Sequence, residues 1–149
     1  MSFDKQKAEA SKKNLQNADL KNADLQEADL SEGILIEACL ENCNLSEADL
    51  CGTDISGASL KNARLHRTVL YRCRGKEVDF SNAVLTQANL VEANLSGANF
   101  THANLMESNI EGANLTNACF KDANLSEVNL TGVFLANAHL SGANFTNSE

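Results

Sequence analysis

Five cysteines, three histidines and twenty carboxylates are the side chains of this 149-residue chain with reactive chemistry to offer. Cys39, Cys43, Cys51, Cys73 and Cys119 could ligate a metal, attack an electrophile or cross-link the chain. His66, His102 and His139 could carry protons or bind a metal, and paired carboxylates could do general acid–base work. The spacings those chemistries need are missing. The cysteine count is odd and no C-x-x-C pair occurs, so there is no metal or redox signature. No nucleophile elbow or phosphate-binding loop is found either. The expectation is therefore a protein that is not an enzyme and carries no cofactor or metal.

What does organise these residues is a repeat. From Leu15 to Phe145 every position divisible by five holds Leu, Ile or Phe, with Gly75 the single exception among 27. Two residues earlier Ala fills 17 of the 27 slots, and the slot between is Asp or Asn in 17. The unit reads A-(D/N)-L-x-x, as in Ala18-Asp19-Leu20 and Ala93-Asn94-Leu95. Cys43 and Cys73 fall in Ala slots, where a thiol is a small apolar group. Asp19, Asp24, Asp29, Asp49 and Asp54 follow the same register, on the outside.

A period of five suits neither regular element. On a helix the leucines would spiral around the axis, and on a flat strand they would alternate between faces. A constant inside requires the chain to turn a corner once per unit, on the two x positions. The Leu and the Ala two before it then point inward together. Asp and Asn side chains can hydrogen-bond backbone groups at each corner, and stacked Asn can form ladders. The product is a polygonal coil that stacks on itself.

This pattern resembles the pentapeptide-repeat family over about residues 14–147. The resemblance implies an all-β fold, a right-handed quadrilateral parallel β-helix with four units per coil and about seven coils. Residue i then lies over i+20, which suits the recurrence of Phe80, Phe100 and Phe120. Cys39 and Cys119 would share a column four coils apart, about 19 Å, beyond disulfide reach. Residues 1–13 are read as a separate short α-helical cap, with Ser2 as its N-cap and Phe3 plugging the first coil. Residues 14–149 form the rod, and Gly75 marks a break, a bulge or a hinge within it.

Charge is uneven along the rod. The net −8 divides into +2 over residues 1–14, −9 over 15–60, +5 over 61–77 and −6 over 78–149. The basic segment is nearly one coil long, so it forms a belt. Two readings stand. One is a recognition belt built from Arg64, Arg67, Tyr71, Arg72, Arg74 and Lys76, with Val91 above Tyr71. The other is structural: stacking at 20 residues places Glu41 against Lys61, Glu47 against Arg67, Asp54 against Arg74, and Arg72 against Glu92. Arg64 and Lys76 gain no such neighbour, which makes them the stronger binding candidates. Cys51, Tyr71 and Val91 share an apolar outward column, and Ile34, Ile36, Val69, Val84 and Phe134 are apolar at other outward slots.

The function expected is a protein-interaction or scaffolding module with a protein partner. Quinolone-resistance members of the family suggest the alternative, a DNA mimic that occupies the DNA channel of DNA gyrase, a type II topoisomerase. The acidic rod favours mimicry, whereas the basic belt and the lack of an inserted loop oppose it. A net −8 disfavours direct binding of nucleic acid or anionic membrane. With no apolar run long enough to span a bilayer and no secretory leader, the expected compartment is the cytoplasm. At the far end Phe134, Leu135, Leu140 and Phe145 lie in a coil with no visible cover, so an end-to-end homodimer through that coil is expected.

Overall fold

A computed structural model describes residues 4–149 of the chain. Parallel bridges join each residue of the Asp/Asn slot to its counterpart twenty residues on, from Asp19↔Cys39 to Asn124↔Asn144. Four five-residue units therefore make one turn of the coil. Each bridge uses two backbone hydrogen bonds: Leu95 N–H donates to Asn114 O at 2.8 Å, and Asn114 N–H to Ala93 O at 2.9 Å. The contact between coils is one residue wide per face, so the strands are isolated bridges rather than long ladders.

The corners explain the two x positions. At every corner but the one after Leu125 the inward Leu-slot carbonyl accepts from the N–H three residues on, as Ala113 N to Ile110 O at 3.0 Å. The second x residue has φ between 54° and 73° in every unit from Asn17 to Asn147. That combination is a type II turn, whose third residue must enter the left-handed region. Glycine does so freely and asparagine at low cost, yet Glu27, Glu47, Arg67 and Arg72 also occupy this slot.

The Asp/Asn slot closes the corner from the other side. Except for Asn14, every Asp or Asn in it accepts the backbone N–H two residues later, from Lys21 N–H to Asp19 Oδ1 at 3.2 Å through Thr146 N–H to Asn144 Oδ1 at 3.0 Å. Side-chain ladders between coils accompany these turns, as Asn44 Nδ2 to Asp24 Oδ1 at 3.1 Å and Asn114 Nδ2 to Asn94 Oδ1 at 3.3 Å.

Inside, the Leu and Ala slots form one dry core from Leu15 to Val128. Both threonines in the Ala slot bond the coil before them, Thr53 Oγ1 donating to Leu30 O and Thr68 Oγ1 to Leu45 O, each at 2.7 Å, whereas the buried Ser108 hydroxyl in the same slot makes no hydrogen bond among the described residues. Cys43 acts as the threonines do, Sγ to Leu20 O at 2.8 Å. Phe80, Phe100 and Phe120 stack along one column, with ring centroids 5.1 and 4.8 Å apart.

Pairing passes through Gly75 without a break or bulge. Arg74 bridges both Asp54 and Asn94, and Gly75 N–H donates to Asn94 O at 2.8 Å. The place of the missing Leu side chain is taken by its neighbours. A Cβ at Gly75 would stand 2.8 Å from Leu95 Cδ2 and 3.2 Å from both Ile55 Cγ1 and Val78 Cγ1. Val78 occupies an Ala slot, so the larger residue there compensates for the glycine.

Helix α1, Lys5–Ala10, and a 3₁₀ turn, Lys12–Asn14, lie over the first coil. The N-cap is Asp4, not Ser2: its carboxylate accepts Lys7 N–H at 2.8 Å. Ser2 and Phe3 lie outside the described residues, and with them the expected plug. Ala8 is the buried cap residue. Glu9 Oε1 accepts Asp29 N–H at 2.9 Å and Lys12 O accepts Ile34 N–H at 2.7 Å, which satisfies two edge donors of the first coil. Gly33 permits this approach, since a Cβ there would stand 3.1 Å from Lys12 O.

Asp29 also fastens this cap by an ion pair with Lys12, 2.9 Å long. Hydrogen bonds from the Ser31 hydroxyl and then from Lys12 lower its carboxyl to about 2. A depressed carboxyl stabilises the fold above its ordinary pKa, and that contribution is lost as pH falls through the folded value. The protection of the α1 amides, relative to their intrinsic exchange at the same pH, should therefore fall as the pH is lowered from 3.8 towards about 2. Hydrogen exchange read by NMR checks this, and Lys12→Ala should start the loss at a higher pH.

Candidate functional site

The belt over residues 61–77 encircles the rod because its cations fall on successive faces and corners of one coil. Four of the six have an acid within ion-pair distance. Arg72 Nε meets Glu92 Oε2 at 2.5 Å, and Arg74 Nε meets Asp54 Oδ2 at 3.2 Å. Both pairs are those the 20-residue stacking places together. The Glu92 carboxylate raises the Arg72 pKa. At Asp54, burial pushes the carboxyl up, but hydrogen bonds from Ser56 and Arg74 outweigh it and the net shift is downward. Arg72 also lies over the Tyr71 ring, 4.9 Å from its centroid.

Two expected relationships differ. Lys61 pairs with Asp79 at 3.5 Å, while Glu41 takes Lys21 at 2.8 Å. The hydrogen bond from Lys21, and then that from Ser59, lowers the Glu41 pKa. Glu47 and Arg67 form no ion pair although they share a column. Lys76 has no acid one coil away, and its sequence neighbour Glu77 lies at 3.9 Å. Flexible four-carbon side chains can reach an acid 18 or 20 residues away, so the backbone register alone does not choose between them.

Among the described residues Arg64 and Arg67 have no acidic partner. They lie in one unit, with His66 between them turned to Thr86, Nδ1 to Oγ1 at 2.8 Å. Val84, bridged to Arg64 from the next coil, is 39% exposed. Met106, half-buried, lies in the column of His66 and Thr86, two coils beyond His66. His66 and Met106 were not among the expected site residues. Reading the first x slot at 20-residue steps, as was done for Tyr71 and Val91, would have brought them together.

The expected apolar column of Cys51, Tyr71 and Val91 is half-buried throughout. Burial raises the Cys51 thiol and pushes Cys43 up to about 11 and Cys73 up to about 12, which leaves the two inward thiols unreactive. No three His, Cys, Asp or Glu side chains converge to hold a metal among the described residues. In the last coil Phe134 is 63% exposed, Leu140 is exposed, and Leu135 and Phe145 are half-buried.

The family model for pentapeptide repeats matches this chain in eight copies, over residues 6–35, 14–46, 43–74, 79–117 and 118–149. The chain belongs to the pentapeptide-repeat family. The right-handed quadrilateral β-helix of that family is the fold that bridges at 20-residue intervals build. Among solved structures, the pentapeptide-repeat protein Rfr23 from the cyanobacterium Cyanothece 51142 is 33% identical with a TM-score of 0.52, over 70% of this chain and 65% of that one. The chain thus spans 65% of the length of that relative. A pentapeptide-repeat protein of the Arabidopsis thaliana thylakoid lumen is 30% identical, with a TM-score of 0.42 over 72% and 71% of the two chains. Full-length QnrB1, a plasmid-mediated fluoroquinolone resistance protein, is 20% identical, with a TM-score of 0.40 over 86% and 79%. No curated protein matches the chain in sequence. No helix among the described residues is long and apolar enough to cross a membrane.

Proposed function

We propose that this pentapeptide-repeat protein is a non-enzymatic rod that docks a protein partner on its outer surface. What supports the reading is where the polar side chains are used. The Asp and Asn of the repeat, Asn14 apart, are engaged at the corners, and the inward threonine hydroxyls bond the preceding coil. The side chains proposed for recognition are those of the belt, Arg64, Arg67, Tyr71, Arg72, Arg74 and Lys76, with Val91 beside Tyr71, and of its cations Arg64 and Arg67 have no acidic partner among the described residues. Arginine forks and a tyrosine are the residues that most often anchor a protein interface. Five free thiols, with Cys39 and Cys51 partly exposed, support the cytoplasm as the compartment.

A second copy is proposed as a further partner. In the 149-residue chain the last coil presents Phe134, Leu135, Leu140 and Phe145 at one end, and burying apolar surface contributes roughly 25 cal/mol per Å². An end-to-end dimer through residues 130–149 would cover them. DNA mimicry at gyrase is the competing reading, favoured by the net charge of −8.

Affinity capture from lysate, a gyrase supercoiling assay and sedimentation velocity together test these proposals. The expected outcome is a stoichiometric protein partner, unchanged gyrase activity, and a dimer that Phe134→Asp converts to monomer. Gyrase inhibition at equimolar protein would replace the scaffold reading with mimicry. A strict monomer at high micromolar concentration would remove the dimer.

A further inference from the structure

Six cations stand in the belt, yet the chain satisfies them unequally. Lys61, Arg72, Arg74 and Lys76 each have a carboxylate within ion-pair distance. Arg64 and Arg67 have none among the described residues, in a chain with twenty acids to supply one. Both side chains are exposed and belong to the same pentapeptide. Arg64 is on a flat face and Arg67 on the adjoining corner, where its φ of 57° directs the side chain off the turn.

We infer that this unit is the binding site for a short acidic peptide segment of the protein partner, crossing the rod transversely. The inference rests on the scaffold reading and gives its partner a chemistry. Two guanidinium groups three residues apart can each take a carboxylate, bidentately, without losing an existing ion pair. Next to Arg64 on the adjoining coil Val84, exposed, supplies an apolar shoulder for one aliphatic side chain of the segment. His66, between the two arginines in sequence, is tied to Thr86 of the next coil, Nδ1 to Oγ1 at 2.8 Å.

The surrounding columns set the direction of approach and exclude a long polyanion. At 20-residue steps Arg67 is flanked by Glu27 and Glu47 on one side and by Gln87, Glu107 and Glu127 on the other. A nucleic-acid strand laid along the rod would meet those glutamates coil after coil. A segment that crosses the rod within one coil stays on the belt, meeting the two arginines and then Asn62 and Lys61 on one side or Val69 and Tyr71 on the other. Each rim contact of this kind is screened by salt, so the encounter should weaken as ionic strength rises.

The probe is a fluorescein-labelled octapeptide of alternating Glu and Leu, compared with its Gln–Leu isostere and with a single-stranded oligonucleotide of equal charge. Binding is read by anisotropy at low salt. The Glu–Leu peptide should bind, the other two should not, and the double variant Arg64→Gln/Arg67→Gln should weaken it about tenfold. Lys12→Gln/Lys21→Gln, which removes two cations paired outside the belt and changes the net charge equally, should change it less than about twofold. Circular dichroism of both double variants confirms that the fold is kept. Equal losses in the two double variants, equal binding of the oligonucleotide, or no binding of the Glu–Leu peptide would each overturn the inference. Lysate capture with the same variants separates the two levels. A partner captured equally well by Arg64→Gln/Arg67→Gln sinks this site and leaves the scaffold reading standing, whereas no captured partner from the unmodified chain sinks the scaffold reading itself.

Discussion

Replacing Phe100 by alanine is expected to lower stability by about 3–5 kcal/mol, the usual range for emptying a buried aromatic site. Phe100 is the middle ring of three, fully buried, and nearly parallel to both neighbours, at 15° to Phe80 and 1° to Phe120. Its removal breaks two ring contacts at once, each of which contributes about 0.5–1.5 kcal/mol beyond buried area. The backbone around the cavity cannot collapse, because each coil is fixed to the next by hydrogen bonds on every face. Phe100→Leu should cost far less, since leucine is the commonest residue in this slot and volume is largely kept. Denaturant midpoints for the two variants check the order. No loss for Phe100→Leu would show that the stack contributes nothing beyond volume.

The second large effect runs against the repeat itself. Restoring the consensus with Gly75→Leu should destabilise the rod by about 1–3 kcal/mol, because overpacking forces side chains off their rotamers. Even a methyl at Gly75 would be 2.8 Å from Leu95 Cδ2, and the Val78 and Ile55 side chains also fill the site. The double variant Gly75→Leu/Val78→Ala should recover much of the loss, since it gives both slots their usual residues. Each single variant should be less stable than the parent, Val78→Ala through a cavity and Gly75→Leu through crowding. A double-mutant cycle with coupling near zero would show that the two positions do not share one space. The same cycle tests whether Gly75 acts as a hinge, because a hinge would lose motion with leucine whether or not Val78 is trimmed.

The fold was legible in the sequence because the backbone leaves little choice. A residue that must face inward every five positions requires a corner per unit, whereas the four units per turn, and with them the bridges at 20-residue steps, are what the family resemblance implies. The Asp/Asn slot was legible for the same reason: a short acceptor one residue before the Leu reaches the N–H of the corner. The belt was legible in its position but not in its pairings. Lys61 chose Asp79 rather than Glu41, and Arg67 left Glu47 alone, through side-chain torsions that periodicity does not constrain. Gly75 was misleading for a different reason. A missing side chain reads as a defect in one column, while its compensation, Val78, sits in another slot of the neighbouring unit. The cap was foreseen as a helix, but Asp4 was passed over because Ser2 is an equally good capping residue by type.

The left-handed residue at every corner divides the surface into positions with different freedoms during sequence drift. The second x slot contains Gly, Asn, Asp, Glu, Gln, Arg and His across its 27 units, but no Val, Ile or Thr. Branching at Cβ is a severe misfit at positive φ, whereas charge sign and length are not. The first x slot accepts Ile36, Val91 and Thr116 without difficulty. A lineage can therefore rewrite the corner column from acid to amide to guanidinium by successive substitutions while the coil beneath stays in register. An electrostatic address such as Arg67 amid glutamates is, on this scaffold, an inexpensive and quickly revised piece of information.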